Sequence, residues 1–200
     1  MNNGNPSAFN LLRPEIQRVL FEKGWTSLRP IQEASIPAYL KDLRDLLIVA
    51  GTAGGKTEAW LLPVLSQLIA NLLPSIQVIC VSPLKALIND QYGRLVDLAK
   101  GLHVPVHRHH GDVGQNHKDA WRKNPRGILI ITPESLEAML LKRSSEVPRV
   151  FKHLQLVVID EVHAMLETER GVHLQSLLSR ISNLIGHRPR MIGLSATIAL

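Results

Sequence analysis

Short apolar runs rich in Ile and Val fall at 45–50, 76–82, 104–107, 127–132, 155–160 and 190–194. Runs of this length, without polar alternation, predict strands buried on both faces. Between them the apolar spacing changes to three and four, predicting helices at 55–70, 84–100, 116–123, 133–142 and 171–186. Two more helices are predicted ahead of the first strand. One covers 14–22, with Ile16, Val19 and Leu20 in helical register and Gly24 just past its end; the other covers 30–40, with Pro30 in its first turn and Pro37 inside it. Strand and helix in alternation predict an α/β fold, a mostly parallel sheet with helices on both faces. Residues 1–10, rich in Asn, Gly, Pro and Ser, are expected to fray, and 142–149 to form a polar surface loop.

Composition narrows the class. Of 200 residues, 45% are hydrophobic and 20% charged, the balance of a globular chain rather than a disordered one. No apolar stretch approaches the roughly 20 residues of a membrane-spanning helix, so no membrane partner is expected. The first residues lack the basic end and apolar run of a leader peptide. Cys80, the single cysteine, lies in an apolar run and reads as a buried thiol, which excludes an internal disulfide. These features together predict a cytoplasmic location. The net charge of +6 favours a phosphate backbone as partner.

The chemistry concentrates at the ends of predicted strands, where such folds hold ligands. Segment 50–57, Ala-Gly-Thr-Ala-Gly-Gly-Lys-Thr, follows a strand and opens a helix, as a phosphate-binding loop does; Ala50 stands where that motif has its first Gly. Thr52, Ala53, Gly54 and Gly55 supply the loop backbone, Lys56 a cation for phosphate oxygens and Thr57 a hydroxyl for Mg²⁺. Segment 156–163, Leu-Val-Val-Ile-Asp-Glu-Val-His, is a strand ending in two carboxylates, which packing alone does not call for. Asp160 is placed to hold Mg²⁺ and Glu161 to orient a water molecule, so Lys56, Asp160 and Glu161 form the candidate catalytic set.

These two segments resemble the ATPase motifs of superfamily-two helicases of the DEAD/DEAH type, and the resemblance runs along nearly the whole chain. It implies a RecA-like P-loop domain over 41–200, preceded by residues 1–40 with an adenine-reading motif at 26–32, Thr-Ser-Leu-Arg-Pro-Ile-Gln, in which Gln32 is the amide. Phe9 is then either a base-stacking aromatic or a core contact. Segment 81–90, Val-Ser-Pro-Leu-Lys-Ala-Leu-Ile-Asn-Asp, resembles a motif that holds nucleic-acid backbone, as do His-Gly-Asp at 110–112 and Ile-Thr-Pro-Glu-Ser-Leu at 131–136. The resemblance assigns backbone contacts to Ser82, Pro83, Lys85, His110, Gly111, Thr132, Pro133 and Glu134; from the residues alone, Ser82-Pro83 and Thr132-Pro133 read equally as helix caps. Ser-Ala-Thr at 195–197 resembles the motif coupling the ATP site to nucleic acid, giving coupling roles to His163, Ser195 and Thr197.

The Asp-Glu-Val-His box is closest in kind to the large helicase-related (Lhr-like) group, whose members are mostly DNA translocases. The resemblance therefore implies ATP and Mg²⁺ as cofactors and nucleic acid as partner, DNA favoured over RNA. It also implies a second RecA-like domain, in the same chain or in trans, without which this chain is expected to be nearly inactive. Glycine or alanine at 50, 51 and 54 departs from the family pattern but keeps the loop residues small. Two rivals stand beside this reading: a non-catalytic nucleic-acid-binding module acting as a separate subunit, and a different P-loop enzyme such as a kinase. The five histidines between 103 and 117 read as a solvated, partly cationic loop near the nucleic-acid track.

Overall fold

The computed structural model describes residues 7–51, 53–166 and 168–196. Six strands, β1 (Leu46–Val49), β2 (Ile76–Val81), β3 (Val106–His109), β4 (Gly127–Ile131), β5 (Leu156–Ile159) and β6 (Arg190–Ser195), form one sheet. Every pairing is parallel and the order is β1-β6-β5-β2-β4-β3. All six carboxyl ends therefore lie along one edge of the sheet; the phosphate loop, the three backbone-contact segments and the Asp-Glu pair follow five of them, whereas the adenine-reading segment precedes β1.

Strands β2, β4 and β5 are hidden on both faces, which is why they are apolar except at Gln77, whose amide is bonded to Leu73 N and Asn71 O. Their side chains alternate between two cores. Val78, Cys80, Ile128, Ile130, Leu156 and Val158 face one core, with Leu12, Ile16, Leu20, Ile36, Trp60, Leu65, Ile88 and Leu95. Those partners come from helices α1 (Ala8–Leu11), α2 (Pro14–Glu22), α3 (Pro30–Lys41), α4 (Lys56–Ala70) and α5 (Lys85–Ala99), and from the turn after α1. Ile79, Val81, Leu129, Ile131 and Val157 face the other, with residues of α6 (Gln115–Lys123), α7 (Pro133–Lys142), α8 (Val147–Val150) and α9 (Glu169–Ile185). Cys80 is a buried free thiol.

Three expectations need correction. The segment expected to fray contains α1, whose Ala8 is buried and donates its N–H to Glu33 Oε2 at 3.2 Å; residues 1–6 lie outside the described residues. The expected polar loop at 142–149 folds into a 3₁₀ turn, Ser144–Glu146, and then α8, because Val147 and Val150 point into the core. With Phe151 and Leu154, also buried, they fall at helical spacing, but α8 itself is a single turn at the end of a polar stretch. The third strand sits at 106–109 rather than 104–107, paired residue for residue with Ile128–Ile131. It is an edge strand with polar side chains, so its pairing, not its hydrophobicity, fixes its place.

Candidate nucleotide and nucleic-acid site

β1 ends at Val49, and the loop that follows turns back before α4. Gly55 takes φ +88°, a conformation that suits glycine, and it caps α4. A Cβ on Gly55 would lie 2.7 Å from Gln32 Nε2, and one on Gly54 would lie 2.8 Å from Gly51 O. The loop thus admits nothing larger than glycine where backbone amides crowd together. Lys56 Nζ donates to Ala50 O at 2.7 Å and Gly51 O at 3.3 Å, spanning the loop with its charge. Thr57 follows in the first turn of α4.

The start of α3 closes the other side. Gln32 is only 1% exposed; its Oε1 accepts from Arg29 N at 2.9 Å, and its Nε2 reaches Gly55 O at 3.5 Å. Arg29 Nη1 donates to Ala53 O. Gln32 is therefore a brace between the helix start and the loop as well as part of the cavity wall. Between them lies a cavity of about 650 Å³, lined among others by Trp25, Gln32, Gly54, Gly55, Lys56, Thr57, Asp160 and Glu161. Trp25 is the aromatic on this wall, whereas Phe9 packs against the first core. Thr52 lies outside the described residues.

Asp160 follows β5 and is buried. Its Oδ2 accepts from Gln91 Nε2 at 2.6 Å and from Ser82 Oγ at 3.4 Å. Burial, and then the neighbouring Glu161 charge, push its carboxyl above the usual range, while these donors work the other way. Glu161 adopts φ +49°, ψ +45°, a left-handed conformation that costs a non-glycine residue about 1–2 kcal/mol. Such strain persists where the surroundings over-determine it, often at a functional position. Glu161 Oε2 lies 3.4 Å from His163 Nδ1, and the same nitrogen is 3.2 Å from Ser195 Oγ. The residues read as coupling thus meet at the ends of β5 and β6; Thr197 lies outside the described residues.

The strand ends read as backbone contacts are more closed than expected. Ser82 is fully buried and turns its hydroxyl to Asp160, so that hydroxyl is not a surface ligand. Thr132 is buried as the N-cap of α7, accepting from Ser135 N at 3.2 Å, so the cap reading holds for its side chain. Glu134 is ion-paired at 2.6 Å with Arg170, which also donates to Pro83 O at 2.7 Å. A paired carboxylate is a poor ligand for phosphate; Glu134 instead ties α7 to α9. Pro133 is buried at the start of α7. Lys85 pairs with Asp112 at 2.9 Å beside Gly111, and both partners are exposed.

The histidines also depart from expectation. His109 and His110 are buried and His107 is half-buried. Burial lowers the pKa of all three, that of His109 to about 4, helped by the charges of Lys118 and Arg122. They are neutral at neutral pH, so this part of the chain is not a cationic loop; only His103 and His117 stand exposed. Arg29, Gln91 and Arg170 were not singled out in sequence. Each is one polar residue on an otherwise ordinary helix or turn, and only packing reveals its partner. Among the described residues no helix is long and apolar enough to cross a membrane.

Comparison with known proteins agrees with this geometry. The Lhr helicase/probable uracil glycosylase of Mycolicibacterium smegmatis is 32% identical over 198 residues, 92% of this chain and 13% of the relative. The ATP-dependent helicase Lhr-Core of Saccharolobus solfataricus is 31% identical over 205 residues, 96% of this chain and 23% of the relative. The chain thus spans less than a quarter of the length of either. A solved structure of Mycobacterium smegmatis helicase Lhr bound to ssDNA and AMP-PNP superposes with a TM-score of 0.86 at 30% identity, covering 96% of this chain and 26% of that one. The RecA-like architecture expected from the motifs is the one observed. The DEAD/DEAH box helicase profile matches residues 29–199, from the helix start that braces the phosphate loop to the end of the sheet, and the chain belongs to the DEAD/DEAH box helicase family.

Proposed function

We propose that this chain is the ATP-binding motor domain of an ATP-dependent helicase or translocase acting on nucleic acid, with residues 1–40 carrying the adenine-reading segment and 41–200 the RecA-like domain. The observation that carries the reading is the convergence of Gln32, Lys56, Thr57, Asp160 and Glu161 on one cavity of about 650 Å³. These residues come from three separate stretches of sequence, and packing needs none of their charges there.

ATP fits this cavity. Trp25 offers an aromatic wall, and the Gln32 amide can donate and accept at an adenine edge. The backbone of Thr52, Ala53, Gly54 and Gly55, with the N-terminus of α4, provides N–H groups for phosphate. Lys56 exchanges its two loop carbonyls for phosphate oxygens, which restores the charge-assisted bonds it gives up. Thr57 and Asp160 are the residues that would hold Mg²⁺, and an acidic group beside a hydroxyl suits that hard cation. When bound, Mg²⁺ neutralises charge developing on the phosphates. Glu161, fixed by its strained backbone, orients the attacking water. His163 and Ser195 carry the state of this corner to the end of β6.

Single-stranded nucleic acid, DNA in preference to RNA, lies over the strand ends near Lys85, His110, Gly111, Pro133 and the α7 N-terminus. The DNA preference is supported by the Lhr relative solved with ssDNA. A second RecA-like domain, in the same chain or in trans, completes the site. Without its arginine finger, turnover is expected to be roughly 10³–10⁵-fold lower. The test is binding of a fluorescent ATP analogue to the purified chain, with and without Lys56→Ala. Saturable binding lost in the variant supports the proposal; equal binding by both proteins overturns it.

A further inference from the structure

We infer that Gln91 is a positioning residue for Asp160, holding its carboxylate for the metal–nucleotide complex from the helix that follows β2. This rests on the nucleotide reading proposed above. Gln91 lies in α5, six positions beyond Lys85, and is buried within hydrogen-bond reach of Asp160. Its Nε2 donates to Asp160 Oδ2 at 2.6 Å, the shortest contact Asp160 receives from a side chain. Its Oε1 accepts from the Cys80 thiol at 3.6 Å.

The orientation follows from chemistry. A carboxylate accepts only, so the NH₂ end of the amide must face Asp160. The thiol of Cys80 then satisfies the other end, a contact its place on β2 provides. A buried amide is costly unless both ends are bonded, and an apolar side chain would fill the site at lower cost. The glutamine is therefore explained by the carboxylate it meets rather than by packing. Both donors, Gln91 and Ser82, use Oδ2, and neither occupies Oδ1. The backbone N–H of Glu161 also donates to this carboxylate, and Asp160 lines the nucleotide cavity.

The arrangement has a mechanical consequence. Lys85, at the strand-end surface, and Gln91, at Asp160, belong to the same helix. A nucleic-acid contact that shifts α5 at its start shifts the donor to Asp160 as well. This link is separate from the His163–Ser195 contact, which joins β5 to β6.

The test uses the full chain, a fluorescent ATP analogue and a MgCl₂ titration. Gln91→Met keeps the length and apolar bulk of the side chain and removes the amide; Gln91→Glu keeps the shape and replaces a donor with an acceptor. Partners that orient a metal-binding group typically change metal affinity about 10–100-fold. The Mg²⁺ concentration at half-effect is expected to rise by that factor in Gln91→Met and further in Gln91→Glu, with a smaller change of nucleotide binding in EDTA than in MgCl₂. A Gln91→Met protein that melts like the wild type and keeps its Mg²⁺ dependence overturns the inference. If neither variant folds, the wild-type Gln91 side-chain amide is followed by NMR as MgCl₂ is added with nucleotide. A shifted amide resonance supports the contact and an unmoved one overturns it. Wild-type protein that binds nucleotide with no Mg²⁺ dependence at all sinks the metal assignment itself, and this inference with it.

Discussion

Acidification from pH 7 to pH 5 should destabilise this domain through the histidines at and just after β3, and His109 should account for the largest share. Its ring is 9% exposed, its Nδ1 has no hydrogen-bond partner, and its pKa is lowered to about 4. In the unfolded chain the same ring titrates near 6.5. Below that pH the unfolded state takes up a proton that the folded state refuses, so stability falls as pH drops, and the loss levels off below about 4. The slope approaches about 1.4 kcal/mol per pH unit, which gives about 2 kcal/mol between pH 7 and pH 5 from His109 alone. His107 and His110 are lowered in the same direction and add to it. Asp160 opposes them: its raised pKa lets the folded state hold a proton above the unfolded value of 3.8, which favours folding as pH falls toward that value. The His109 share is isolated by difference, from urea unfolding followed by circular dichroism at both pH values for wild type and His109→Leu. The leucine protein should lose about 2 kcal/mol less than wild type over this interval. Equal losses in the two proteins would refute the assignment of the pH dependence to His109.

Three further outcomes follow from packing. Gly55→Ala puts a Cβ 2.7 Å from Gln32 Nε2 at a φ of +88°, so fluorescent-nucleotide affinity should fall by about tenfold or more, the equivalent of about 1.4 kcal/mol; wild-type affinity would contradict the role of this turn. Trp60→Ala empties a fully buried site on α4 and should cost about 3–5 kcal/mol in chemical unfolding, while a cost under about 1 kcal/mol would mean the core collapses around it. Gly171→Ala drives a Cβ onto the carbonyl oxygen of Met165, and backbone on backbone cannot yield as a side chain does. The loop after Glu161 must shift, with an expected loss of about 1–3 kcal/mol in the unfolding midpoint assay; no loss would mean the first turn of α9 is free to move.

Legibility in the sequence tracks how local the cause is. Strands β2, β4 and β5 were readable because burial on both faces forces an apolar run, interrupted only by Gln77 among these three strands. β3 was displaced by two residues because His107, Arg108 and His109 carry little strand signal; only the ladder to β4 defines them. The helix α8 was missed although Val147, Val150, Phe151 and Leu154 fall at helical spacing, because the polar stretch before it outweighed a single turn. The phosphate loop and the Asp-Glu pair were readable for another reason. Phosphate and metal chemistry dictates residue types along contiguous backbone, so spacing in sequence is spacing in space.

The strand-end hydroxyls show where that rule stops. Ser82 and Thr132 occupy equivalent places, each followed by proline and a helix, and the sequence offers the same two readings for both. The structure separates them by what lies beneath. Thr132 has its own helix to cap, and its oxygen turns to Ser135. After Ser82 the helix starts later, at Lys85, so that hydroxyl is left to face the buried Asp160 of the neighbouring strand. Asp160 then collects donors from β2's end and from α5, residues 78 and 69 positions away in sequence. A buried carboxylate must recruit such partners, because its desolvation is the largest influence on it. Sequence identifies which acid is needed; only the pairing of β5 with β2, which sets Asp160 beside Ser82 and within reach of Gln91, decides which residues hold it.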